Sequence, residues 1–163
     1  MPVHPTVLLL TLALSTATLQ AASPKPPSPK KLDALESQTI EVMKAKAAAL
    51  NIQGVAVVSY AAGAAIDSWT SKMAVVGHLT DAKASANGNN LLGIAYAKSA
   101  EMASTLQDSG TAKRPPMTGE FGWQGGTILR VDSGYIIVAF SGGKSEDDLQ
   151  VSKAGLEIMK NGI

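Results

Sequence analysis

The chain has 163 residues, a net charge of +1 and an apolar share of 45%, which suits one packed domain behind an N-terminal extension. Near-neutral charge, with no cluster of Lys and Arg among aromatics, offers no field for a nucleic acid and excludes it as a partner. Cysteine is absent, so disulfides, thiolate metal ligands and Cys nucleophiles are excluded together.

The first 22 residues read as an export signal. Val7 to Leu14 is a short apolar run, followed by small residues and Ala21-Ala22, a plausible cleavage site, and it is too short to span a bilayer comfortably. A secreted or periplasmic protein without a stable membrane span is the expectation. Residues 23–31, with four prolines and three lysines, read as an extended linker, and residues 32–163 as the domain.

Within the domain, apolar residues spaced among Glu, Lys and Gln predict a helix from Leu32 to Leu50. Gly54 to Tyr60 and Ile66 to Val76 read as strands around the turn Ala62-Gly63-Ala64. Asn87 to Asn90 breaks the chain before a helix from Leu91 to Gln107, and Pro115-Pro116 marks an irregular connection. Thr127 to Arg130 and Tyr135 to Ser141 form a hairpin about Asp132-Ser133-Gly134. The second of these strands is apolar almost throughout, as a strand covered on both faces must be. Ser145 and Asp148 give a capping-box pattern ahead of a helix from Glu146 to Lys160, with Gly162 as its stop. The order predicts a single α+β domain with an antiparallel sheet of about four or five strands flanked by helices.

The segment Gly125-Gly126, Asp132 with Gly134, Val138 to Ser141 with Gly142, and Ser145-Glu146-Asp147-Asp148 resembles the ending of the GlcG/HbpS-like family of small haem-binding proteins, also called the haem-degrading domain family. Ala154-Gly155-Leu156 continues the match, and Ala95 to Ala100 is similar to that family's Lys-containing helix, with Ser99 in place of an alanine. The resemblance implies a profilin-like three-layer arrangement and a haem or related tetrapyrrole as ligand. Two features depart from it. Lys72-Met73-Ala74 stands where the family has Arg-Met-Asp, replacing a planar guanidinium fork by a point charge. The stretch from Leu79 to Asn90 is also longer and richer in Asn and Gly.

Candidate site residues follow. His78 is the single histidine after the leader, so any haem or metal site that uses imidazole must use it; otherwise it is a strand-end histidine. Tyr60, Tyr96 and Met73 are the alternative axial ligands, or packing residues. Lys98 and Arg130 are the cations for an acidic ligand such as haem propionates. Gly125 and Gly126 either present backbone N–H groups to an anion or serve backbone shape. Phe121 and Trp123 form an apolar wall or plug the end of the sheet. No nucleophile elbow, His-Glu-x-x-His helix or phosphate loop is present, which favours binding over catalysis. Capture, storage or sensing of haem is the first reading. The alternative is a homo-oligomeric assembly module, or one binding a small organic acid, on the same fold. Self-association is expected in either case, because an uncovered sheet edge tends to be buried by a second copy.

Overall fold

The computed structural model describes residues 25–83 and 86–163; the expected export signal lies outside them. Nine elements follow in order: α1 (Pro29–Ala49), β1 (Gly54–Ala62), β2 (Thr70–Val76), β3 (Thr80–Asp81), β4 (Asn89–Asn90), α2 (Leu91–Thr105), β5 (Gly126–Val131), β6 (Gly134–Ser141) and α3 (Ser145–Gly162). No described helix is long and apolar enough to cross a membrane.

Four strands form one fully antiparallel sheet in the order β2-β1-β6-β5. The two central strands pair from Val55 opposite Ser141 to Ala62 opposite Gly134. Side chains alternate across a pleat, and the two faces meet different helices. Ala56, Val58, Tyr60, Ile136, Val138 and Phe140 pack with Leu35, Met43, Val151 and Met159 of α1 and α3. Val55, Val57, Ile137 and Ala139 pack with Leu91, Ile94, Ala95 and Met102 of α2. The expected α+β domain with helices on both faces of an antiparallel sheet is therefore present. Double coverage also explains the apolar β6, whose eight residues are all buried.

Three expectations change in detail. Helix α1 begins inside the segment read as linker: Pro29 occupies the first turn, where its missing N–H costs nothing, and the Ser28 hydroxyl accepts from Lys31 N–H. The second β-run shortens to Thr70–Val76, because Ile66 and Trp69 leave the sheet to pack beside α2. The capping box at α3 does not form: no side chain caps that helix, and Asp148 is engaged by a partner distant in sequence. The stretch 79–90 also carries an unforeseen small ladder, Thr80 opposite Asn90 and Asp81 opposite Asn89.

Candidate functional site

One end of the sheet gathers most of the chemistry. There β6 ends at Ser141, β5 begins at Gly126, and the chain leaves β2 for His78. Lys98, on α2, is buried and donates to the Phe140 carbonyl at 2.7 Å and to Asp148 Oδ2 at 2.8 Å. Asp148, on α3, also accepts from Gly143 N–H at 2.8 Å through Oδ1. Since α2 and α3 lie on opposite faces, this ion pair staples the outer layers together around the end of the sheet. Burial pushes the Lys98 ammonium down and the Asp148 carboxyl up from their ordinary values, and their mutual attraction offsets part of each shift.

Gly125 makes that staple possible. A Cβ at this position would run into Lys98 Nζ and sit 2.7 Å from Asp148 Cβ, and φ is +127°. Its carbonyl accepts from Phe140 N–H and from the Ser152 hydroxyl. Gly126 is constrained as well, since Met102 and the Ser109 hydroxyl fill the space a side chain would take; its N–H donates to Ser109 Oγ at 2.8 Å. Both glycines thus have their backbone and space committed within the fold.

A cleft of about 150 Å3 opens beside the ion pair, lined by Asp81, Asn89, Trp123, Gln124 and the turn Ser141-Gly142-Gly143 among others. It is small against the roughly 300–1,000 Å3 of a pocket that encloses a drug-sized ligand.

His78 lies at the same end of the sheet, half-buried, with Nδ1 2.8 Å from Gln53 Oε1. An amide oxygen only accepts, so in the tautomer that makes this hydrogen bond Nδ1 donates and Nε2 is the ring nitrogen left for a ligand. That is the tautomer a metal-ligating imidazole needs, fixed by an outer hydrogen bond of the usual kind. Val75, three residues before it, and Leu79, immediately after it, are exposed apolar side chains, 40% and 43% accessible. No group of three or more metal-ligating side chains occurs among the described residues. A protein-only metal cluster is thus absent there, whereas a single axial ligand to a macrocycle needs no cluster.

The other candidates are dispersed. Tyr60 is buried on the α1/α3 face, where its hydroxyl donates to the Ser133 carbonyl at 2.9 Å. Met73 and Tyr96 are half-buried on the α2 face, the Tyr96 hydroxyl lying 3.3 Å from Ser71 Oγ. Arg130 sits at the far end of β5, four residues or about 13 Å along the strand from Gly126. There it donates to the Ala64 carbonyl and stacks over the Tyr135 ring at 4.5 Å. The structure therefore brings His78, Lys98, Gly125 and Gly126 to one end of the sheet, and Arg130 to the other. Gln53, the orienting partner of His78, has no signal in the sequence, because nothing in spacing marks a glutamine ahead of one strand as the neighbour of a histidine after the next.

No family model matches the chain, and no curated protein does. Among solved structures it is similar to a chain of the crystal structure of a PduOC:heme complex, with a TM-score of 0.53 and 16% identity. The alignment covers 81% of this chain and 94% of that one. At this identity the likeness is one of fold: the same three layers built from a largely different sequence.

Proposed function

We propose that this protein is an exported haem-binding protein of the GlcG/HbpS-like kind that captures, stores or senses haem, with His78 as the iron ligand. The observation that carries the reading is the His78–Gln53 hydrogen bond, which with Nδ1 as donor leaves Nε2 for a ligand on a segment whose Val75 and Leu79 side chains are exposed. The neighbour of the same fold is a haem complex, and the C-terminal sequence pattern points the same way. Export rests on the apolar run from Val7 to Leu14 and the small residues after it.

The residues fit a surface-docked macrocycle better than an enclosed one. His78 would hold the iron, Gln53 would fix the ring and its tautomer, and Val75 and Leu79 would exclude water from the apolar face. Bound haem would supply the redox and oxygen chemistry of its iron. Lys98 has its charge balanced by Asp148, so its role in this reading is to hold Gly125, β6 and α3 in register. The same balance disfavours a small organic acid in the 150 Å3 cleft, where Asp81 adds a further negative charge.

Haemin titrated into the purified protein and followed by absorbance tests the reading. The expected result is a saturable Soret shift at one equivalent, weakened at least about tenfold by His78→Ala, the loss of one coordinate bond. A featureless, unsaturating titration, or an unchanged affinity in His78→Ala, would overturn it.

A further inference from the structure

The irregular segment between α2 and β5 carries four of the six large apolar side chains that are exposed among the described residues: Leu106, Met117, Phe121 and Trp123. Connections of this length without secondary structure of their own are usually either functional or disordered. This one is held in a fixed shape. Arg114 grips Glu120 through two parallel hydrogen bonds of 2.7 Å, and the Glu120 carboxylate also accepts from Met117 N–H. The Phe121 and Trp123 rings pack on each other with centroids 4.9 Å apart and planes tilted by 31°. They form one aromatic platform, about 45% accessible at each residue.

An amide-rich turn shares clefts with the platform. Phe121 lines a cleft of about 290 Å3 with Gly88, Asn89, Asn90 and Gly119. Trp123 lines the adjoining Lys98 cleft, where Asn89 reappears beside Gln124 and Asp81. The two clefts share Asn89 and Ile94 and so adjoin as a trough, each part lined by one ring of the aromatic pair together with primary amides. The segment from Leu106 to Gln124 carries two acidic and two basic residues, so it has no net charge to attract an ion or an anionic lipid surface.

We propose that this trough binds a neutral carbohydrate chain. A pyranose has an apolar face of C–H bonds, which stacks against the negative face of an aromatic ring. It also has a rim of hydroxyls, each donor and acceptor, matched by the amide and carboxylate groups of Asn89, Gln124 and Asp81. An apolar peptide would leave those amides unpaired, at a cost in affinity. His78, Val75 and Leu79 line neither cleft, so sugar recognition uses none of the groups assigned to haem.

The test is tryptophan emission of the purified protein titrated with cellohexaose and, in parallel, maltohexaose, using wild type, Trp123→Ala, Phe121→Ala and Asn89→Ala. At least one oligosaccharide should give a saturable blue shift that Trp123→Ala abolishes. Phe121→Ala should weaken binding about tenfold and Asn89→Ala several-fold, all three retaining the wild-type far-UV spectrum and the haemin response. No saturable change with either sugar at millimolar concentration, or equal sugar affinity by calorimetry in Trp123→Ala, overturns the proposal. So does a Trp123 signal that follows haemin but not sugar, or one that follows protein concentration without sugar; these would assign the platform to a tetrapyrrole or to a second copy of the chain.

Discussion

Lys98 and Asp148 tie the three layers together, because each is buried and, among the described residues, each is the other's only counter-charge within bonding distance. Removing one partner strands a charge away from water, which costs about 3–5 kcal/mol. Urea unfolding should therefore show Lys98→Met or Asp148→Asn destabilised by that order. The double variant should lose clearly less than the sum of the two, and strict additivity would contradict the pairing. Glu36 behaves differently. Burial raises its carboxyl above the ordinary value, with the Thr70 hydroxyl and then Lys72 opposing the shift. A carboxyl whose folded value is raised keeps its proton to higher pH in the native state than in the unfolded chain. Its contribution to stability is then full below the ordinary carboxylate value and falls as pH climbs through the raised one. Thermal melts between pH 4 and 7 should show a smaller decline in Glu36→Gln than in wild type. Glu120 has the opposite sign: Arg114 first, then Met117 N–H, hold its carboxyl down at about 2. The clamp it forms in the 106–124 segment is complete above the ordinary carboxylate value and is lost as pH falls towards 2. Its opening should appear as a change in Trp123 emission between pH 4 and 2, absent in Glu120→Gln. Neither the Lys98–Asp148 nor the Glu36–Thr70 pairing was visible in the sequence, since the partners are 50 and 34 residues apart and hydrogen-bond partners at such range leave no periodic trace; the Arg114–Glu120 clamp is local but sits in a segment without periodic structure.

At the scale of elements, the strands and helices with strong patterns were legible and their ends were not. The apolar run Tyr135 to Phe140 announced a strand covered on both faces, and both faces are covered. The start of α1 was hidden because prolines read as an extended linker, whereas Pro29 in the first turn behind Ser28 is a favourable helix entry. Ser28→Ala should lower stability by about 1 kcal/mol, measurable as a shift in the unfolding midpoint without change in the slope. At α3 the Ser145 to Asp148 spacing matched a capping box, but the stronger pull of a buried ammonium redirected the aspartate. Gly125→Ala tests that arrangement, because the added methyl meets Lys98 and Asp148 in a backbone conformation that alanine adopts poorly. We expect a loss of roughly 2–4 kcal/mol, combining the strained φ with displacement of the ion pair. A variant as stable as wild type would show that the pair moves aside freely.

For the whole molecule, the three-layer order places chemistry at one end of the sheet. Loops at that end come from all four strands and from the N-terminal ends of α2 and α3, so a site there can draw on many segments while the core stays intact. The overall architecture was readable because a packed sheet must bury its faces, and burial is written in apolar periodicity. The arrangement of His78, Gln53, Phe121 and Trp123 was not, because exposed residues on loops carry no such period. The two edge strands, β2 and β5, each pair on one side only, the feature on which the expected self-association rests; sedimentation should show a dimer or larger species, and a monomer at high concentration would argue against it.

In the proposed complex the His78 imidazole reaches haem iron through Nε2. Electron–nuclear spectroscopy of the ferric haemin complex, prepared with 15N-labelled histidine, tests it most directly. A nitrogen coupling from coordinated imidazole is expected, one that changes with the label and disappears in His78→Ala. A spectrum identical in labelled protein, unlabelled protein and His78→Ala would contradict it.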